Sequence, residues 1–132
     1  IVHTSKQEFS SMPGFLTTIK YVCIYASDFD RSLAFYRDGL GLQVTYKEDG
    51  FAQFNTEGTI LTLEKDGFRS DEPKDYRKVG FLIQFEVEDI EKAVTALKAK
   101  NVKFTQTITD KEFGRTAIIV DPDGNQIMLL EQ

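Results

Sequence analysis

Two short apolar runs of the chain, 19–25 and 81–87, carry mostly polar or aromatic side chains at one set of alternate positions. Those positions hold Tyr21, Cys23, Tyr25, Leu82, Gln84 and Glu86. Because successive residues of a strand point to opposite faces, each set shares one face of its run. Carboxylates and amides accept hydrogen bonds, and an aromatic ring stabilises a cation placed over its face. These residue types therefore favour recognition of a neutral or cationic organic molecule.

Cys23 is the only cysteine, and it is a candidate nucleophile only if a base or a positive charge converts its thiol to a thiolate. The only histidine, His3, is distant in sequence from both runs. We therefore interpret Cys23 as a small residue of the strand rather than as a catalytic group. With one histidine, a single subunit also cannot assemble an iron site of two histidines and one carboxylate.

An internal repeat determines the predicted organisation. Segment 26–36 matches segment 87–97 in apolar, acidic and basic classes, and Asp89 repeats Asp28 at an interval of 61 residues (89 − 28). In each copy the aspartate can cap a helix whose apolar residues follow at spacings i, i+4 and i+7. Those residues are Phe29, Leu33 and Tyr36 in the first copy and Ile90, Val94 and Leu97 in the second. The pattern predicts helices over about 28–38 and 89–100.

Strands are predicted where β-branched and aromatic runs lie between turn residues. They span 19–25, 42–47, 51–55 and 59–64 in the first half, and 81–87, 102–107, 116–120 and 126–130 in the second. Each half is therefore a βαβββ module of one α+β domain. Module 1 covers about 18–66, module 2 about 79–132, and the whole domain 16–132 after an N-terminal extension, 1–15. The charged connector Lys65–Gly80 is predicted to be a solvated loop.

The alternation also predicts which face of each first strand is buried. The apolar set must pack under the helices, and it consists of Val22, Ile24, Ala26, Ile83, Phe85 and Val87. In the last strand of module 1, Thr62 and Glu64 alternate with Leu61 and Leu63. The face opposite the helices is therefore of mixed polarity.

Two segments, SDFDRSLAFYRDGLGL at the first helix and DPDGNQIMLLE at the last hairpin, occur in the tandem modules. In this combination the chain resembles the vicinal oxygen chelate superfamily of glyoxalases, bleomycin-resistance proteins and extradiol dioxygenases. The resemblance covers roughly 18–132. It implies that the paired sheets curl into an open barrel around a pocket on the mixed face, and that a homodimer completes the pocket.

In metal-using members of that superfamily, four ligands stand on the first and last strands of the two modules. Transferred through the motifs, their positions fall on Tyr21, Thr62, Leu82 and Met128. Leu82 and Met128 cannot bind a hard divalent ion, and neutral tyrosine and threonine bind one poorly. We therefore expect no metal and no other cofactor in the pocket. Without a Lewis acid, the enediolate, ring-cleaving and epoxide-opening chemistries of the superfamily lose their oxyanion stabilisation.

The resemblance is then closest to the metal-free members that bind a bulky, often cationic antibiotic. The expected ligand-binding residues are Tyr21, Cys23, Tyr25, Gln53, Thr62, Glu64, Leu82, Gln84, Glu86 and Met128, with Phe51 as a further stacking ring. A lyase or isomerase of glyoxalase type using Glu64 or Glu86 as base, a dioxygenase-like enzyme with an unfamiliar site, and a structural role all remain open. Arg115 is the alternative anchor if the ligand is an anion.

Composition limits the partners. The chain of 132 residues has a net charge of −5, and no cluster of Lys and Arg marks a surface for phosphate backbones, so nucleic acid is not an expected partner. No apolar run approaches the roughly 20 residues that cross a bilayer, so no membrane is expected. A single cysteine excludes an internal disulfide framework and fits a cytoplasmic protein.

Overall fold

The computed structural model describes residues 14–132, which form eight strands, three helices and a π-helical turn. The strands are β1 (Tyr21–Ala26), β2 (Val44–Glu48), β3 (Phe51–Phe54), β4 (Ile60–Lys65), β5 (Ile83–Glu86), β6 (Lys103–Lys111), β7 (Gly114–Val120) and β8 (Gln126–Glu131). The helices are α1 (Phe29–Ala34), which continues into the π-helical turn (Phe35–Gly39), α2 (Tyr76–Val79) and α3 (Ile90–Ala99). Residues 1–13, most of the predicted N-terminal extension 1–15, lie outside the described part.

The strands form two four-stranded sheets, with the orders β1-β4-β3-β2 and β5-β8-β7-β6. In each sheet the first strand of the module lies at the edge and pairs in parallel with the last strand. The other neighbours pair antiparallel. The predicted α+β architecture of two βαβββ modules is therefore confirmed. Because β1 and β5 are both edge strands, the two sheets stay open.

Both predicted helices begin where the repeated aspartates cap them. The Asp28 carboxylate accepts from the Arg31 N–H at 3.1 Å, and Asp89 accepts from the Lys92 N–H at the same distance. The first helix differs from its prediction because its second half is a π-helical turn, in which the Leu40 N–H donates to the Phe35 carbonyl at 2.9 Å. In this turn Tyr36 is completely buried.

One hydrophobic core lies on the helix side of both sheets. It combines Leu33 and Tyr36 of the first helical segment with Val94 and Leu97 of α3. The apolar sets of both edge strands lie in this core or pack against it, as the alternation predicts. The two modules of one chain are therefore parts of a single packed unit.

The turn between β7 and β8 ties the modules together through two buried carboxylates, those of Asp121 and Asp123. Asp121 accepts the Tyr36 hydroxyl at 2.6 Å, and Asp123 accepts the backbone N–H and the hydroxyl of Ser27. Burial raises the pKa of Tyr36 well above its usual value, and Asp121 raises it further, so the hydroxyl stays protonated and donating. The DPDGN segment is thus an anchor between modules as well as a hairpin turn.

The connector between the modules is more ordered than the predicted loop. It contains α2, and it bonds to the β7–β8 turn through the Ser70 N–H to the Asp123 carbonyl at 3.0 Å and the Lys74 N–H to the Gly124 carbonyl at 2.8 Å. Gly67 packs so closely on the backbone of Tyr25 and Ala26 that a Cβ atom would overlap it. Most residues of the connector are exposed, as predicted for a solvated segment, but α2 and the backbone bonds to module 2 give it more order than a simple loop.

Within residues 14–132, no helix is both long enough and apolar enough to cross a membrane.

Candidate functional site

The first sheet gathers most of the predicted site residues on one face. In the parallel pair, Cys23 lies beside Thr62 and Tyr25 beside Glu64. On the other side of β4, Gln53 pairs with Thr62 and Phe51 with Glu64. Residues paired across neighbouring strands point to the same side of a sheet, so these side chains, with that of Tyr21, form one surface. We call this surface the module 1 face; it consists of Tyr21, Cys23, Tyr25, Phe51, Gln53, Thr62 and Glu64.

Burial across the module 1 face follows the position of each strand in the sheet. Thr62, on the interior strand β4, is only 3% exposed, whereas Tyr21 and Tyr25, on the edge strand β1, are 52% and 53% exposed. Glu64 is half-buried, so its exposure is intermediate between that of Thr62 and that of the two tyrosines. The face therefore has a polar floor and two aromatic rings open to an incoming molecule.

A sulfur–carboxylate contact lies at the centre of this face. The Cys23 thiol donates to Oε2 of Glu64 at 3.6 Å. Burial raises the pKa of the thiol, and the charge of Glu64 raises it further, although a hydrogen bond with Thr62 opposes the change. Cys23 and Glu64 likewise raise the pKa of Tyr25. At neutral pH both groups are therefore protonated, which argues against Cys23 as a nucleophile.

The second sheet presents a face of different chemistry. Gln84 lies beside Met128, and Glu86 lies beside Leu130. Met128 and Leu130 are each 8% exposed, whereas Gln84 and Glu86 are exposed at the sheet edge. Leu82 lies just before β5 and is half-buried. We call this surface the module 2 face; it consists of Leu82, Gln84, Glu86, Met128 and Leu130.

Both edge strands leave backbone groups free beside these faces. The Lys20 carbonyl accepts from the Ile60 N–H, and the Val87 N–H donates to the Leu130 carbonyl, both at 2.8 Å. In a parallel ladder alternate residues bond to the same neighbour, so the residues between them turn their N–H and C=O groups outward. Those residues include Cys23 on β1 and Gln84 on β5. Cys23 and Gln84 thus lie at sheet edges with outward-facing backbone groups, whereas the connector residue Gly67 packs on the backbone of Tyr25.

Two separate cavities border the two faces in the described part of the chain. Cys23 and Tyr25 border a cavity of about 240 Å³ whose other walls are the connector, the start of β5 and the start of β8. Glu86 borders a separate cavity of about 270 Å³ next to α3. In one chain the structure therefore brings the module 1 residues together and leaves Gln84, Glu86 and Met128 elsewhere.

Sequence reasoning missed the aromatic contribution of the connector. The cavity beside Cys23 and Tyr25 is also lined by Phe68, Tyr76 and Phe81. Phe68 and Phe81 are 87% and 69% exposed. Phe68 and Tyr76 lie in a charged segment without strand or helix periodicity, so their only signal was the presence of large aromatic residues in a predicted loop. Phe81 stands at the start of the predicted strand 81–87.

Arg115 is not placed as an anchor for an anionic ligand on either face. Its guanidinium pairs with Glu91 at 3.1 Å, Asp110 at 3.4 Å and Glu131 at 3.8 Å. The side chain therefore links β6, β7 and β8 to the first turn of α3.

The positions that hold the metal in metal-using relatives do not fit one here. Tyr21 is a neutral phenol at the edge, Thr62 a buried hydroxyl, and Leu82 and Met128 offer no hard donor. Across residues 14–132, no three or more His, Cys, Asp or Glu side chains cluster as a metal would require. His3 lies outside this part of the chain.

Comparison with known proteins identifies the family to which this fold is similar. The family model of the Glyoxalase/Bleomycin resistance protein/Dioxygenase superfamily matches residues 18–129. A curated relative, the uncharacterized protein YraH of Bacillus subtilis (strain 168), is 33% identical over 115 residues, covering 79% of this chain and 90% of the relative.

Solved structures agree with this match at the level of the fold. A glyoxalase/bleomycin resistance protein/dioxygenase from Nocardioides superposes with a TM-score of 0.71 at 20% identity, over 90% of this chain and 85% of that one. TnmS3, an antibiotic binding protein from Streptomyces sp. CB03234, gives a TM-score of 0.68 at 17% identity, over 90% and 98%. With its paired βαβββ modules and the family match, the chain belongs to the glyoxalase/bleomycin resistance protein/dioxygenase superfamily.

Proposed function

We propose that this protein binds a small neutral or cationic organic molecule on the module 1 face, without a metal and without turnover. The observation that carries the proposal is the half-buried Glu64 carboxylate, which lies between Tyr25 and Phe51 in the sheet register. A carboxylate beside aromatic rings combines charge attraction with cation–π contact.

The charge of the surrounding face supports a cation. Further out on β2, Tyr46 pairs with Gln53, and Glu48 pairs with Phe51. Neither Lys nor Arg occupies a paired position of this face on the four strands of the first sheet. An anion would therefore meet the carboxylates of Glu48 and Glu64, whereas a cation meets complementary groups. The Lys20 ammonium lies beside this face, 5.8 Å from the centre of the Tyr21 ring, and this contact supports the fit of a cation over an exposed ring.

Protonated Tyr25 and Cys23 also favour binding over catalysis. The Cys23 thiol is occupied as a donor to Glu64, and its raised pKa removes the thiolate that a nucleophilic step needs. The Tyr25 hydroxyl remains a donor for a neutral polar ligand. The antibiotic-binding activity named for the structurally similar TnmS3 is consistent with such a role.

A second copy of the chain completes this proposed site. In the described part of one chain the two faces border separate cavities, and both flanking strands are edge strands of their sheets. Large exposed apolar residues stand near these edges, among them Tyr21, Phe68 and Phe81. Dimerisation would cover them and would bring the partner's module 2 face, with Gln84 and Glu86, against the module 1 face. Sedimentation analysis should give a dimer, which Phe81→Asp weakens; a monomer at all concentrations would contradict this arrangement.

The ligand proposal is tested by calorimetric titration with benzyltrimethylammonium as a cation, benzyl alcohol as a neutral probe and benzoate as an anion. Glu64→Gln should weaken cation binding by about tenfold, because a charged contact in a partly desolvated site is worth on the order of 1.5 kcal/mol. Benzyl alcohol binding should change little.

The matched control is Glu57→Gln, which removes the same charge from an exposed loop residue. It should leave cation affinity unchanged. Equal losses in both variants, or tighter binding of benzoate than of the cation, would reject the module 1 face as a cation site.

A further inference from the structure

A separate groove lies on the helix side of the molecule, between the two modules, with a volume of about 780 Å³. Its walls come from the first helical segment, the loop after α3, the β7–β8 turn and residues 69–73 of the connector. None of the residues of the module 1 or module 2 face lines it. We call it the inter-module groove.

Basic side chains from three different segments converge on this groove. They are Arg31 of α1, Arg69 of the connector, and Lys100 and Lys103 around the start of β6. The chain has a net charge of −5, with 16 Lys and Arg against 21 Asp and Glu. The lining also contains Asp38, Asp71 and Asp121, so four cations stand against three carboxylates and the groove has a net charge of +1, opposite in sign to that of the whole chain.

The acidic residues of the groove already have partners. Both oxygens of Asp38 accept from Arg37 at 2.9 Å, and Asp71 lies 3.4 Å from Arg69. Asp121 is 5% exposed and is held by Tyr36 and Asn125. These carboxylates are therefore poor competitors for an incoming anion.

Three of the four cations are free to bind. Among the residues that the structure describes, Arg31, Lys100 and Lys103 form no ion pair within 4.0 Å. Lys100 instead donates to the Asp38 carbonyl at 2.6 Å, which fixes the loop after α3 against the end of the first helical segment. The groove thus has one positioned ammonium and two unpaired charges.

Apolar groups form the rest of the lining. Phe35 and Val102 stand on opposite modules, and Pro73 and Pro122 close the remaining sides. The connector is held against the turn so tightly that a Cβ atom on Gly124 would lie 2.8 Å from the Glu72 carbonyl oxygen. The groove is therefore a built concavity rather than a gap between loose segments.

We propose that the inter-module groove binds an organic anion with an apolar body, such as an aryl phosphate. The anionic group contacts Arg31, Lys100 and Lys103, and the apolar part lies against Phe35 and Val102. Guanidinium and ammonium groups are the side chains that proteins use for phosphates. Because the lining comes from both modules and the connector, bound ligand also strengthens their association.

The test uses phenyl phosphate as the probe and the whole chain as the protein. Calorimetry should detect saturable binding at low salt that weakens as salt increases, and the double variant Arg31→Gln/Lys103→Gln should weaken it by about tenfold. The control Lys47→Gln/Lys111→Gln removes the same charge from exposed positions outside the groove and should retain the affinity of the unaltered protein.

Amide chemical shifts then locate the ligand independently of any substitution. Phenyl phosphate should shift signals of residues 31–39 and 100–103 and leave those of β1 unchanged. The same double variant should bind benzyltrimethylammonium normally, which separates this groove from the module 1 face. No binding at millimolar phenyl phosphate, equal weakening in both double variants, or shifts centred on β1 would overturn the proposal.

Discussion

The module 1 and module 2 faces occupy equivalent positions in the repeat and have opposite distributions of charge. In module 1 the carboxylate, Glu64, is on the interior strand, and the edge residue beside it is Tyr25. In module 2 the carboxylate, Glu86, is on the edge strand, and the interior residue beside it is Leu130. The two modules therefore share a backbone pattern, but the carboxylate lies on the interior strand in one and on the edge strand in the other.

This exchange determines how much each carboxylate can contribute. Glu64 is half-buried and contacts Cys23, whereas Glu86 is exposed. An interaction in a partly desolvated setting is stronger than one fully in water. In the proposed site, Glu64 of module 1 therefore provides the main charged contact and Glu86 of module 2 a weaker one.

The two modules share one core, and the buried contact between Asp121 and Tyr36 joins them. Asp121→Ala should lower the free energy of unfolding by about 3 kcal/mol, because the buried Tyr36 hydroxyl and nearby N–H groups lose their acceptor. Urea denaturation measures the change. Asp110→Ala, at a side chain 88% exposed, should cost less than about 0.5 kcal/mol. Similar losses for both would show that the anchor carries no special weight.

Exchanging the residues on the interior strands tests the difference directly. Leu130→Glu should destabilise the fold by about 2–3 kcal/mol, because a charge and its carbons replace an apolar side chain that is 8% exposed. Glu64→Leu should change stability by less than about 1 kcal/mol, since the lost contact is modest and the site is only half-buried. Thermal and urea unfolding give both values. If the two substitutions have equal effects, the faces do not differ as described.

The reactivity of the Cys23 thiol depends on the negative charge of Glu64. Burial and the nearby carboxylate raise its pKa, so alkylation by iodoacetamide should reach its half-maximal rate at a higher pH than for a free thiol. Glu64→Gln removes a negative charge, lowers the pKa and should increase the rate at pH 8 by about 2–5-fold. Glu57→Gln, at an exposed loop residue, is the matched control and should leave the rate unchanged. A slower reaction in Glu64→Gln would mean that the carboxylate does not raise the pKa.

Local patterns in the sequence predict the elements of this fold well. Asp28 and Asp89 cap helices, and the alternation in β1 and β5 gives the correct buried set, since both signals depend on neighbouring residues. The π-helical turn was not predictable from spacing. It contains Tyr36, whose hydroxyl bonds to Asp121, 85 residues away, and local spacing carries no information about such a contact. The ordered connector likewise depends on partners in the β7–β8 turn.

The candidate site likewise has features that depend on neighbouring residues and features that depend on the tertiary structure. Alternation places Tyr25 and Cys23 on one face, but the burial of Glu64 relative to Glu86 follows from strand order, which is a property of the whole sheet. The inter-module groove combines segments of both modules and the connector, so no sequence window contains its pattern. The sequence predicts which side chains share a face of each sheet, but it does not predict how the two faces are arranged relative to each other.

The smallest expected effect on ligand binding is that of substituting Glu86, and it tests the difference between the two faces in most detail. In the proposed dimer Glu86 of the second copy approaches the module 1 face from its rim, where water screens its charge. Glu86→Gln should therefore weaken benzyltrimethylammonium binding by only about twofold, against about tenfold for Glu64→Gln. The double variant should approach the product of the two effects if the carboxylates act independently. A loss for Glu86→Gln as large as for Glu64→Gln would move the main anionic contact to module 2, because only a desolvated carboxylate produces an effect of that size.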